Sequence, residues 1–111
     1  MKLSFVAGLL LAAGIVLGQQ MPRMVSCDPQ MGKAGDVIAV TGENLEKDTV
    51  AKVYLTDGKN DIAVEVTEQT PTSIKFKIPA KAAPGRLALM VLTSGKDAKY
   101  IEQPVKVEVA Q

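Results

Sequence analysis

The residue types that carry out chemistry are scarce in this chain. It has no histidine and a single cysteine, Cys27, so the commonest general base and the commonest metal ligand are missing together. A zinc site or a serine triad is thereby excluded. Paired carboxylates can act as acid and base, but Glu43 and Glu46, like Asp57 and Asp61, fall in turn sequences where a solvated surface accounts for them. Asp57, Asn60 and Asp61 present the oxygen ligands that calcium accepts. Their spacing matches no EF-hand loop, however, and a hairpin through Asp57-Gly58 needs such residues for backbone reasons alone. No catalysis, metal or cofactor is expected from this inventory.

A contact surface is the other way a protein acts, and one segment suggests it. In Arg86 to Thr93, Leu87, Leu89 and Val91 alternate as one face of a strand, yet Ala88, Met90 and Leu92 on the other face are apolar too. If that strand lies beside Val50 to Thr56, Tyr54 joins them. Tyr54, Ala88, Met90 and Leu92 are therefore the expected interaction patch, since a contiguous exposed apolar area marks a contact surface. The competing expectation is that the loop near Tyr100-Ile101, the N-terminal segment or a long flanking side chain covers the stripe.

The elements that would position these residues are strands. Apolar residues recur with period two in short runs separated by Gly, Pro, Asn and Asp, and no helical period persists for three turns. Met24 to Cys27 reads as a first strand, ended at Asp28-Pro29, and Val37 to Thr41 as a second with Ile38 and Val40 on one face. In the third, Val50 to Thr56, alternation puts Ala51, Val53 and Leu55 inside and Lys52, Tyr54 and Thr56 outside. Asp57-Gly58-Lys59-Asn60 then turns the chain into a fourth strand carrying Ile62, Val64 and Val66. Thr72 to Ile78 points Ile74, Phe76 and Ile78 inward and the two lysines outward. A one-residue slip would bury both lysines, so its register is well specified. Arg86 to Thr93 comes next, and Val105, Val107 and Val109 mark a seventh strand that Gln103-Pro104 interrupts. Seven short antiparallel strands, each with one apolar face, imply two facing sheets.

Ahead of this domain stands a different kind of sequence. Lys2 is the only charge in residues 1–18, and Leu3 to Leu17 is an unbroken run of apolar or small residues, the pattern of a secretory signal peptide. Val16 and Gly18 suit a cut before Gln19. A membrane-spanning helix needs about 20 apolar residues, and Gln19, Gln20, Pro22 and Arg23 end the run early, so membrane attachment is expected only if this segment stays uncleaved. Residues 19–23 read as a short linker and 24–111 as the domain, placed in the periplasm, at the cell surface or outside the cell. Without Lys2, twelve Lys plus Arg face twelve Asp plus Glu. That zero net charge, with no basic run, excludes nucleic acid as a partner. Cys27 allows no internal disulfide, and Gln19, Gln20 and Arg23 separate it too far from the apolar run for a lipidation box; it reads as a small buried hydrophobe.

Several ordered motifs resemble those of the IPT/TIG domain, the immunoglobulin-like module shared by plexins, some transcription factors and many bacterial surface proteins. Pro29-Gln30-Met31-Gly32-Lys33-Ala34-Gly35-Asp36 looks like the family's proline and double-glycine opening. Val37-Ile38-Ala39-Val40-Thr41-Gly42-Glu43-Asn44-Leu45 resembles its strand and Gly-x-Asn-Leu sequence, and Thr72 to Pro79 and Pro84-Gly85 match later landmarks. The resemblance covers about Pro22 to Val109. It implies an all-β, seven-stranded immunoglobulin-like (E-set) sandwich and a binding or spacer role without catalysis. The leading expectation is a module that contacts a protein partner, or a second copy of itself, through a sheet face or strand edge. The alternative is carbohydrate binding at the cell surface, for which Tyr54 and Tyr100 are the candidate stacking residues.

Overall fold

The computed structural model describes residues 21–111, so the signal peptide expected at 1–18 lies outside the described residues. Nine strands succeed one another along the chain: β1 Arg23–Asp28, β2 Met31–Gly32, β3 Val37–Glu43, β4 Val50–Thr56, β5 Asp61–Ala63, β6 Glu65–Thr70, β7 Ser73–Lys77, β8 Gly85–Thr93 and β9 Tyr100–Val109. One sheet has the order β1-β3-β7-β6 and the other β2-β9-β8-β4-β5. The expected sandwich of two sheets is the observed fold. All pairs are antiparallel except β2 with β9.

The core between the sheets is where strict alternation says it should be on β3, β7 and β8. Ile38 and Val40, then Ile74 and Phe76, then Leu87, Leu89 and Val91 are all buried in one cluster. Elsewhere single-residue bulges change the inward spacing from two to three. On β1, Met24 and Ser26 oppose Gly42 and Thr41, so Val25 is the extra residue; it is exposed while Met24 and Cys27 are buried. On β4, Val50 and Lys52 oppose Thr93 and Leu92. This corrects one expected inner face: Ala51 is exposed and Val50 takes its place in the core. Thr56, expected outside, is buried, and its hydroxyl accepts the Gly58 N–H at 3.0 Å.

Two further differences come from sheet switching. The expected fourth strand is divided: β5 pairs with β4, β6 pairs with β7 in the other sheet, and Val64 between them donates its N–H to Val53 O. Gln103-Pro104 does not interrupt β9 but arches it, with the three residues between Glu102 and Lys106 set against one, Leu89, on β8. The extra pair preserves which residues face inward and brings Gln103 toward β1. Buried there, it accepts the Met24 N–H at 2.7 Å and directs its amide N–H at Pro22 O, 3.5 Å away. Pro22 and Arg23, expected in a linker, therefore belong to the folded domain.

The Gly42-Glu43-Asn44-Leu45 segment has a mechanical explanation. A Cβ on Gly42 would run into the Arg23 carbonyl oxygen and approach Met24 Cα to 2.9 Å, because β1 crosses it closely. Asn44 takes a left-handed φ of 58° and its side-chain amide donates to Met21 O at 3.1 Å. Leu45 then drops fully into the core.

Two stability effects are expected, both readable as shifts in a urea unfolding midpoint. Gln103→Leu leaves the Met24 N–H without its buried acceptor and costs about 1–3 kcal/mol. Gly42→Ala forces β1 away from β3 and costs about 1–3 kcal/mol by overpacking, whereas Gly95→Ala, with open space around it, serves as the comparison for backbone strain alone.

Candidate functional site

Asp57 is committed to the β4–β5 turn: its Oδ1 accepts the N–H groups of Lys59 and Asn60 at 2.8 and 2.7 Å. Those bonds, from Asn60 first and Lys59 second, hold its carboxyl below the usual aspartate value. The hairpin thus accounts for the cluster considered for calcium. Among the described residues no three His, Cys, Asp or Glu side chains gather as a metal site. Glu43 is exposed, and Glu46 has Oε1 buried without a hydrogen-bond partner. Cys27 is buried, and burial, then the charge of Asp28, pushes its thiol up from the ordinary value.

Strand edges are poor contact surfaces here. β2 and β5 are two and three residues long; β1 is bulged and tied to Gln103, and β6 is bulged and carries Glu65 and Glu68. Short, bulged and charged edges are the devices that discourage strand addition. The outer face of the four-stranded sheet carries polar pairs, Ser26 and Thr41 hydroxyls 2.8 Å apart and Lys75 with Glu68 at 3.4 Å, beside the exposed Val25 and Val37.

The outer face of the five-stranded sheet is different. β8 lies between β4 and β9, as expected, so Tyr54 stands opposite Met90, Thr56 opposite Ala88 and Tyr100 opposite Leu92. Tyr54, Ala88, Met90 and Leu92 do share one face. They do not form an open apolar patch: Ala88 and Met90 are 7% and 9% exposed although outside the inter-sheet core, and Tyr54 and Leu92 are half-buried. The tyrosines explain much of this. Their strands are two ladder spacings apart, about 9.5 Å, yet their ring centroids are 5.6 Å apart at an interplanar angle of 63°. The rings therefore lean toward each other across β8, over Met90 and Leu92, in an edge-to-face contact of the favoured type. Tyr100 stays 61% exposed.

Tyr100 is the residue that strand-by-strand reading left out of the patch. Its signal was present, since alternation back from Val105 puts position 100 on the outer face and β9 beside β8, but only the pairing register sets it against Tyr54. Burial, then the neighbouring Tyr100 hydroxyl, then Asp61, hold the Tyr54 phenol above its ordinary value.

The family model for the IPT/TIG domain matches residues 22–109. Among curated protein sequences none matches. Of solved structures, a Bacteroides thetaiotaomicron protein of unknown function is similar over 82% of this chain and 22% of its own, with 22% identity and a TM-score of 0.67. An auxiliary nutrient binding protein of the same species is similar over 84% and 21%, with 26% identity and a TM-score of 0.59. SGBP-B of the Bacteroides ovatus mixed-linkage glucan utilization locus, in complex with a mixed-linkage heptasaccharide, is similar over 78% and 22%, with 15% identity and a TM-score of 0.51. This chain spans less than a quarter of each of those proteins.

The tyrosine pair has a titration signature. A raised folded pKa means that Tyr54 stabilises the fold fully below its unfolded value, about 10, and that this contribution is lost as pH rises through the higher folded value. Ultraviolet phenolate titration should show a late step that belongs to Tyr54. Tyr100→Phe, which removes the hydroxyl beside Tyr54, should bring that late step to lower pH.

Proposed function

The chain belongs to the IPT/TIG domain family, and from that premise we propose that it is an exported, non-catalytic binding module that holds carbohydrate against the tyrosine face of its five-stranded sheet. The observation that carries the reading is the pairing of both tyrosines of the sequence on one face, with the Tyr100 ring exposed. A sugar presents a C–H face to a flat ring and hydroxyls to the polar groups around it. An amphipathic ring fixed at one edge by a neighbour serves that purpose with little loss of conformational freedom. Lys52 and Glu102 flank the pair on β4 and β9 and supply donors and acceptors at its margin. The likeness in fold to nutrient-binding proteins, and to one holding a heptasaccharide, agrees with this ligand class. Export is supported by the apolar leader Leu3 to Leu17.

A protein partner, or a second copy of the chain, on the same face is the second reading. What favours it is the apolar stripe beneath the rings, which a partner that displaced Tyr100 would reach.

The chain has no tryptophan and two tyrosines, so its intrinsic ultraviolet emission reports on this face alone. Titration with soluble oligosaccharides, mixed-linkage glucan heptasaccharide among them, should change that emission saturably. Tyr100→Ala should weaken binding about tenfold, on the scale of a lost aromatic contact, with Tyr54 still reporting. Binding that ignores the substitution removes the carbohydrate platform. A dimer in light scattering that Tyr100→Ala strengthens, by uncovering Met90 and Leu92, would instead establish the second reading.

A further inference from the structure

At the hairpin end of the sandwich the β4–β5 turn and the loop before β8 stand apart and leave a cleft of about 240 Å³, lined by Leu55, Asp57, Asn60, Ile62, Lys81, Ala83 and Leu87. Its floor is core: Leu55 is fully buried and Leu87 nearly so. Its rim is polar and charged, with Asp57 and Asn60 from the turn and Lys81 from the loop. Asp57 and Lys81 line the same space yet form no ion pair, the one salt bridge among the described residues being Lys75 with Glu68. An anion and a cation that share a cleft without meeting leave room for a molecule that donates to one and accepts from the other.

The turn makes this arrangement rigid. Asp57 is held by two short backbone bonds to Oδ1, with Oδ2 engaged only by a long 3.4 Å contact from the Asn60 amide. Oδ2 therefore keeps acceptor capacity, and the same bonds keep the carboxyl ionised. Gly58, at a φ of 95°, closes the turn beneath it. Sites for larger ligands occupy about 300–1,000 Å³, so a cleft of this size takes a single small ring.

We propose that this cleft is a second carbohydrate site, built for one pyranose ring: hydroxyls donating to Asp57 and accepting from Lys81, and the C–H face resting on Ile62, Ala83 and the exposed margin of Leu87. The proposal rests on the carbohydrate reading of the module and extends it to a separate place. The cleft lies on the inward side of β4, around the turn from Tyr54, so the two sites are separable by mutation.

The test is amide-resolved NMR of the protein titrated with free D-glucose, D-galactose and D-mannose, with leucine as a zwitterion of similar size. One of the sugars should shift the Lys59 and Asn60 amides and leave those around Tyr100 unmoved. Lys81→Ala should weaken that binding about tenfold, the loss of one hydrogen bond to a charged group. Ala83→Phe, at an exposed position of the rim, should block the cleft without disturbing the core, and Tyr100→Ala should leave monosaccharide binding intact. Shifts at the turn with leucine and with no sugar overturn the assignment, as do sugar shifts that survive Ala83→Phe. If oligosaccharide binding depends on Tyr100 while no sugar moves the turn, the cleft proposal fails and the tyrosine platform stands. Sugar binding in the cleft with no role for Tyr100 gives the reverse. No binding by either measure removes both.

Discussion

The fold depends on how a sandwich without a disulfide satisfies the backbone at its corners. β1 belongs to the four-stranded sheet, yet it begins beside β9 of the other, and a strand in that position turns polar backbone groups toward the interior. A buried N–H without a partner costs on the order of the whole gain from several good contacts. Gln103 removes the problem by entering the interior with a side-chain amide, accepting from Met24 and reaching toward Pro22. Gln69 does the same at the far side of the sandwich: its amide donates to Leu45 O at 2.7 Å and Val50 O at 3.0 Å, pinning the loop that leads into β4. Two glutamines thus do with hydrogen bonds what a cystine does covalently in small disulfide-bonded domains.

Bulges are the second half of the same solution. A strand that must both pair in its own sheet and meet a side chain from the other cannot keep a uniform period. β1, β4 and β6 each carry one extra residue opposite a single partner, and β9 carries two. A single extra residue reverses which side chains face inward beyond it, whereas two restore the original parity. That arithmetic lets β9 arch to deliver Gln103 while Val105, Val107 and Val109 stay in the core and Tyr100 and Glu102 stay outside.

Legibility in the sequence obeys the same division. β3, β7 and β8 carry none of the extra residues, which sit on the strands they pair with, so Ile38, Val40, Ile74, Phe76, Leu87, Leu89 and Val91 could be placed inward from alternation alone. β4 could not, because nothing local distinguishes Val50 from Ala51 as the inward residue; the bulge there answers to Gln69, nineteen residues away along the chain. The divided fourth strand was hidden for a similar reason, since Ile62, Val64 and Val66 alternate smoothly through a switch of sheets that only their partners reveal. The outward stripe on β8 was legible as an oddity, but its cover was not. That Tyr100 stands opposite Leu92 and meets Tyr54 across β8 is a fact of register between strands far apart in sequence.

The position of both candidate sites depends on that same entry to β4. Gln69 fixes Val50 against the core, the bulge at Ala51 sets the parity of the residues beyond it, and with that parity Val53 and Leu55 point in while Tyr54 points out. Had β4 kept uniform alternation with Val53 and Leu55 inward, Ala51 would take the core position and Val50 would lie outside. One amide and one extra residue therefore seat Val50 in the core at the start of the strand that carries Tyr54 outward to Tyr100 and Leu55 inward beneath the cleft. A change at Gln69 acts on both sites without touching either, and this separates it from Tyr100 and Lys81, which each act on one.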